Sequence, residues 1–546
     1  MSDGRVPVPT PVNEPILPYA PGSPERASLK ARVRAMEKET IEAPLVIGGQ
    51  EVKGEGTFSQ VSPHNHAREL ARVHSTGRSQ VESAVEASLK AARDWAETPF
   101  EERAAVFLKA ADLISGPYRD TLNAATILGQ SKSAYQAEID AVCELVDFLR
   151  FNVHYGQRIL EEQPFSPDGM WNQMDYRPLE GFVLAITPFN FTAIAGNLPS
   201  APAIMGNVAV WKPSEKQALA AHYTMEVFRK AGLPDGVINL VHGDGALTAE
   251  VAMAHEDFAG LHFTGSSTVL KSLWKRAGEN LDQYRTFPRI VGESGGKDFI
   301  VAHPSTDPEA LAVAMARGAF EYQGQKCSAA SRAYIPRSIW PAVEEHVKGI
   351  TAEITMGDVG DLSTFMGAVI DGGAFGKHRD AIQQAKADGL EIVAGGGTDD
   401  SEGWFVDPTI LRTEDPRSDT MVRELFGPIL TVYVYDDTKW SREKWSELLE
   451  LVDDTSPYGL TGAVWARDRA DIQTAHRILR HAAGNFYVND KPTGSVVGQQ
   501  PFGGSRASGT NDKAGSIFNL LRWVSPRSIK ETFVPAVDWT YPHMGE

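Results

Sequence analysis

Gly181-Phe-Val-Leu-Ala-Ile186, Asn207-Val-Ala-Val-Trp211, Val237-Ile-Asn-Leu-Val241 and Gly260-Leu-His-Phe-Thr264 are short apolar runs, and what lies between them decides the fold. Each is too short for a helix and suits a buried strand bounded by turns. Helical spacing fills the gaps at Lys216–Ala231, near Ala246–Ala254 and at Ser267–Ala277, before a further strand at Arg289–Val291. Apolar strands alternating with helices predict parallel βαβ units with helices on both faces of a sheet. Gly181–Trp211 contains no Asp, Glu, Lys, Arg or His. It is long enough to span a bilayer, but Pro188, Pro199, Pro202, Asn190, Asn197 and Asn207 interrupt it. It reads as two buried strands around a buried loop and helix.

A second α/β series runs from Asp298-Phe-Ile-Val-Ala302 through helix Pro308–Tyr322, strand Ser331–Ile335 and helix Ile339–Thr355. Strands near 391–394, 405–411, 429–435 and 461–466, helix Asp468–His481 and strand Asn485–Asn489 follow it. Two α/β halves therefore meet near residue 296. Upstream, helical spacing marks Gln80–Ala96, Glu101–Ser115 and Ala134–Phe151; in the last, Asp140, Glu144 and Asp147 lie opposite an apolar face. Six prolines from Pro7 to Pro21 predict an extended arm over residues 1–25. No apolar signal core or Arg-rich transit pattern opens the chain, so a soluble cytoplasmic protein is expected. The net charge of −18 disfavours nucleic acid and anionic membrane as partners. Two cysteines, Cys143 and Cys327, exclude a disulfide framework and fit a reducing compartment; no His pair has metal spacing.

Several residues admit both a chemical and a structural reading. Cys327 follows a helix end marked by Gly324, where a turn can present a thiolate nucleophile, or it is an inert thiol. Cys143 sits on a helical face and reads as core. Glu293 ends a strand where the halves meet and suits a general base or an ordinary cap. Asn190 lies in the charge-free stretch as either a loop brace or a reserved donor. Lys212-Pro-Ser-Glu215 is a ribose-binding pair or a capped helix start. No G-x-G-x-x-G fingerprint follows the early strands.

Seven ordered motifs together resemble the aldehyde dehydrogenase superfamily over nearly the whole chain. They are Thr187-Pro-Phe-Asn190, Trp211-Lys-Pro-Ser-Glu215, Phe263-Thr-Gly-Ser266, Glu293-Ser-Gly-Gly-Lys297, Gly324-Gln-Lys-Cys327, Glu424-Leu-Phe-Gly-Pro428 and Pro501-Phe-Gly-Gly504. Within it the chain is most similar to the 1-pyrroline-5-carboxylate dehydrogenase family. That likeness rests on Gly22-Ser-Pro-Glu-Arg26, Gln136-Ala-Glu-Ile-Asp140, the run Gly494–Phe502, Ala507–Asp512 and Ile529-Lys-Glu-Thr532. The resemblance implies a Rossmann-like NAD-binding domain (1–160 and 181–295), an α/β catalytic domain (296–515) and oligomerisation segments (161–180 and 516–546).

The implied activity is NAD-dependent oxidation of L-glutamate γ-semialdehyde to L-glutamate. Rival readings are another semialdehyde dehydrogenase, hydrolytic or CoA-acylating, and a non-catalytic homologue. By position, Cys327 attacks the aldehyde, the Asn190 amide and the Cys327 N–H hold the oxyanion, and Glu293 activates the water that hydrolyses the thioester. Thr187, Phe189, Lys212, Ser214, Glu215, Gly265, Ser266, Glu424 and Phe426 match cofactor contacts, and Glu215 favours NAD over NADP. Ser328, Gly494 and Ser495 match neutral donors to the substrate carboxylate, Phe191 and Phe502 its aliphatic walls, and Glu138 an acid of the pocket. No metal is implied. A homodimer or higher homo-oligomer is, together with a separate proline dehydrogenase as a partner.

Overall fold

The computed structural model describes residues 6–545. Two seven-stranded sheets organise it. The first contains β1 (Leu45–Ile47), β2 (Gln50–Val52), β3 (Phe182–Thr187), β4 (Val208–Pro213), β5 (Ile238–Leu240), β6 (Phe258–Thr264) and β7 (Arg289–Glu293), in the order β7-β6-β3-β4-β5-β1-β2. Strands β3 to β7 are parallel, and β3 and β4 are buried along almost their whole length, as expected of strands covered on both faces. The chain runs from β3 out to β5 and then returns to lay β6 on the other side of β3. In open parallel sheets that reversal leaves a crevice at the carboxyl ends of the two strands, where ligands bind.

The second sheet contains β8 (Asp298–Ala302), β9 (Ala330–Pro336), β10 (Glu391–Ala394), β11 (Thr409–Thr413), β12 (Ile429–Tyr435), β13 (Thr461–Trp465) and β14 (Asn485–Val488), in the order β10-β11-β12-β9-β8-β13-β14. Only β10 runs antiparallel. Residues 294–297 alone separate β7 from β8, so the carboxyl end of one sheet lies beside the amino end of the other.

The charge-free stretch folds as β3, helix Thr192–Ile204 and β4, and no described helix is long and apolar enough to cross a membrane. Three expectations are corrected. Helix 308–322 ends at Phe320, because Tyr322 and Gln323 adopt left-handed φ of 53° and 54°. The strand at 405–411 is two, Phe405–Val406 and β11. Helix 134–151 contains a π-helical stretch, Glu138–Cys143, and runs on to Glu161; on its polar face Asp140 and Asp147 are buried and Glu144 is partly buried.

The arm, described from residue 6, has no regular structure before helix Pro24–Met36. Met170–Arg177 pairs antiparallel with Ser525–Thr532 in a separate exposed ribbon. Trp523, inside the segment expected to begin at 516, is fully buried in the first core, so the projecting part starts at Ser525.

Candidate active site

Cys327 sits in the turn between a short 3₁₀ stretch, Glu321–Gly324, and β9. Three consecutive left-handed residues precede it, and such non-glycine conformers cost about 1–2 kcal/mol each. What holds them is the buried Gln323 amide, which donates to the Ser131 and Ala368 carbonyls (2.9 and 2.7 Å) and accepts from the Gly367 N–H at 3.2 Å. Gly324 completes the turn at φ 63°, where a Cβ would strike the Gly427 carbonyl.

Asn190 lies between β3 and the helix Thr192–Ile204, and its Nδ2 donates to the Gln325 carbonyl at 3.0 Å. One amide proton is spent on fixing the side chain beside the cysteine turn, and the second remains for a ligand. Burial pushes the Cys327 thiol well up, and the carboxylates of Asp298, Glu293, Glu424 and Glu144 push the same way. Glu293 ends β7; burial raises its carboxyl well above the usual range, opposed by the Gly504 N–H at 3.3 Å and by Lys513. A base with a raised pKa suits proton abstraction near neutrality.

The expected cofactor residues stand at or just after the carboxyl ends of β3, β4 and β6 and in the loop before β12. Thr187 ends β3 and its hydroxyl accepts from the Trp211 indole at 3.1 Å. Ser214 caps a 3₁₀ turn that holds Glu215, and its N–H donates to the Thr187 carbonyl at 3.0 Å. Lys212 is buried, which lowers its pKa against the pull of Glu215 and Asp244. Gly265 and Ser266 follow β6, and Ser266 caps helix Ser267–Glu279, whose free N–H groups and dipole favour a phosphate. The Glu424 carboxylate accepts from the Gly296 N–H at 2.9 Å and packs on Gly295, whose Cβ it would exclude. The Phe426 ring meets Phe189 edge to face at 5.8 Å. A buried cation beside a carboxylate, a helix N-terminus and a glycine-floored carboxylate fit a dinucleotide.

A cavity of about 670 Å³ opens on Cys327, and Ser328, Phe191, Gly494, Ser495 and Phe502 are among the residues that line it. The Ser328 and Thr493 hydroxyls are 2.7 Å apart. The Lys132 ammonium stands over the Phe191 and Tyr322 rings (4.1 and 4.3 Å) while bound to Asp140 at 2.6 Å, which fixes the Phe191 wall. Burial lowers this lysine to about 8. The expectation of purely neutral donors is incomplete, since Arg317, Lys326 and Lys491 also reach the cavity. Lys326 is engaged by Asp140 and Glu321.

Glu138 does not line the cavity, contrary to expectation. Its fully buried carboxylate binds Arg119, the Asn123 amide (2.7 Å), the Tyr19 hydroxyl (2.8 Å) and the Leu17 N–H (3.0 Å). Burial alone would raise it, yet these partners hold it below its usual range. Glu144 lines the cavity instead; one of its carboxyl oxygens is buried without a partner, and burial drives its pKa well up. Helical periodicity placed Glu144 opposite the apolar face, and no local signal showed that this face meets the cavity. Among the described residues no group of three or more His, Cys, Asp or Glu side chains is arranged to hold a metal.

Residues 51–529 match the model of the aldehyde dehydrogenase family. The mitochondrial delta-1-pyrroline-5-carboxylate dehydrogenase of Dictyostelium discoideum is 50% identical over 544 residues, covering 99% of this chain and 97% of that protein. The crystal structure of the delta-pyrroline-5-carboxylate dehydrogenase from Mycobacterium tuberculosis bound with NAD superposes with a TM-score of 0.96 at 54% identity, covering both chains completely. Proline utilization A from Bdellovibrio bacteriovorus superposes at a TM-score of 0.90 and 27% identity, over 96% of this chain and 54% of its own. By sequence, coverage and fold, this chain belongs to the aldehyde dehydrogenase family, in its delta-1-pyrroline-5-carboxylate dehydrogenase branch.

Proposed function

We propose that the chain oxidises L-glutamate γ-semialdehyde, the open form of 1-pyrroline-5-carboxylate, to L-glutamate with NAD, a step of proline degradation. The observation that carries this reading is one cavity holding a thiol, an unpartnered acid and a loop of hydrogen-bond donors. The substrate presents the matching groups: an aldehyde, an ammonium and a carboxylate. Cys327 Sγ attacks the aldehyde carbon, and the free Asn190 N–H with the Cys327 N–H receives the oxyanion. Deleting one such donor typically costs about 10²–10³ in rate. Bound NAD supplies the hydride acceptor. Glu293 then takes a proton from the water that cleaves the Cys327 thioester, and the thiol is regenerated as glutamate leaves. Gly494 and Ser495 meet the substrate carboxylate, Phe191 and Phe502 pack on the methylenes, and Glu144 faces the ammonium.

Lys212 and Glu215 are assigned to the adenine ribose, where the carboxylate disfavours a 2′-phosphate. Glu424 is assigned to the nicotinamide ribose. The ribbon 170–177/525–532 is the proposed contact between copies in a homo-oligomer, and a separate proline dehydrogenase is the proposed supplier of substrate. With both thiols free, a reducing compartment suits the chain, and we place it in the cytoplasm; the Dictyostelium relative is mitochondrial by name. Purified protein is expected to form NADH from glutamate semialdehyde without coenzyme A. An absolute need for coenzyme A, or a kcat/KM about tenfold higher on aliphatic aldehydes, overturns the reading.

A further inference from the structure

The reaction leaves the N-terminal arm without a task, yet its residues are unusually well tied down. Val8 N–H donates to Gln157 Oε1 at 2.6 Å, and Leu17 and Tyr19 hold the buried Glu138. Between these anchors the Glu14 carboxylate bridges Arg119 and Arg150 (2.7 and 2.8 Å), while its N–H donates to Asp147 at 2.7 Å. Asn13, Glu14 and Ile16 form part of the wall of the aldehyde cavity. An extended segment with no strand partner gains its order only from such side-chain contacts, which must offset its conformational entropy.

Asn13 is the informative member. Its Nδ2 donates both to Asp147 on helix Glu144–Glu161 and to the Val497 carbonyl, each at 2.8 Å, and its Oδ1 accepts from Gln499 at 3.0 Å. With both N–H groups and its oxygen engaged, the amide bridges one wall of the cavity, the helix that carries Glu144, to the loop that carries Gly494 and Ser495. That loop turns on two glycines with positive φ, Gly494 (95°) and Gly498 (82°), and the ties within it are local. The Val496 carbonyl accepts from the Gln499 and Gln500 N–H groups at 3.0 and 2.9 Å, and the Val496 N–H donates to Gln500 Oε1 at 2.9 Å, so the link to the helix comes from Asn13.

We propose that residues 13–19 are a specificity-determining strap, in which Asn13 positions the 494–499 loop against the helix and thereby sets how strongly the cavity selects a short, carboxylate-bearing aldehyde over a neutral one. This rests on the assignment of Gly494 and Ser495 to the substrate carboxylate. A strap of this kind acts on binding of the charged group rather than on attack by the thiol, so its loss raises KM and spares kcat.

The test compares kcat and KM for glutamate semialdehyde and butanal in the wild type, Asn13→Ala and Gln499→Ala. Asn13→Ala is expected to raise KM for glutamate semialdehyde about five- to tenfold, the loss of one to two hydrogen bonds, with kcat and the butanal parameters within about twofold. Gln499→Ala, an exposed change at the other end of the same contact, is expected to shift KM in the same direction by less. Equal losses on both aldehydes, or unchanged discrimination in both variants, overturn the strap. A wild type that does not prefer glutamate semialdehyde to butanal instead overturns the carboxylate assignment. The strap falls with that assignment, because it acts through the carboxylate, whereas an intact wild-type preference with unchanged discrimination in the variants rejects the strap alone.

Discussion

The two thiols show how environment separates residues of one type. Cys143 is buried against the Pro15 carbonyl, Arg119 and Glu138, and burial followed by the Glu138 charge pushes its thiol up. Cys327 is partly exposed at the cavity, but burial of its sulfur and four nearby carboxylates also push it up. Only the thiolate alkylates. With the pKa raised, the thiolate is the minor form at neutrality and grows about tenfold for each pH unit until the pKa is reached. Iodoacetamide labelling at Cys327, followed by peptide mass spectrometry, should therefore accelerate about tenfold per unit between pH 7 and 9, with Cys143 unlabelled. A plateau below pH 8 would contradict the arrangement of charges described here.

At the scale of elements, the turn before Cys327 and the helix carrying Glu144 both depart from regular geometry. Periodicity extends helix 308–320 by two residues because Glu321 and Tyr322 are unremarkable helix formers. The left-handed turn is imposed by Gln323, whose partners Ser131, Gly367 and Ala368 are distant in the chain. Gln323→Ala removes the amide and leaves buried backbone groups unpaired, so urea unfolding should show a loss of about 2–4 kcal/mol. A loss under about 0.5 kcal/mol, the range of an ordinary surface change, would mean the turn is held by other contacts. The π-helical stretch Glu138–Cys143 has a parallel effect on its helix. Its i→i+5 bonds interrupt the regular turn there. Yet Asp140, Glu144 and Asp147 still share one face, which lines the cavity, while Val142, Val146 and Leu149 face the core; the helical wheel leaves open only what each face meets. The structure gives Glu138 to the arm and Glu144 to the cavity.

At the scale of the whole molecule, chemistry is assembled where the carboxyl end of the first sheet meets the amino end of the second. Thr187, Ser266 and Glu293 follow or end β3, β6 and β7, while Cys327 and Glu424 precede β9 and β12. The ribbon and the tail lie apart from both cores. Trp171, Phe533, Val534 and Trp539 are exposed there, and exposed apolar groups on a projection support the proposed contact between copies. A chain truncated after Val524 should remain folded, since Trp523 and Val524 complete the first core, and under the proposed assembly it should run as a monomer by light scattering while the full chain runs as a dimer or larger species. An unchanged assembly after truncation would place the interface elsewhere.

The sequence by itself determined the α/β class, the two-sheet division near residue 296, the charge-free β3–helix–β4 unit and the seven motifs. Each is encoded by neighbours in the chain: periodicity, turn residues and short ordered runs. Only the tertiary structure decided which of those residues meet. Asn190 reaches the Gln325 carbonyl across 135 residues, and Asn13 reaches Val497 across 484. It also decided that an acid on a nominally polar helix face is buried in the cavity and that a prolyl arm becomes part of its wall. Such contacts depend on strand order and on crossovers between elements, and no local pattern of side chains records them.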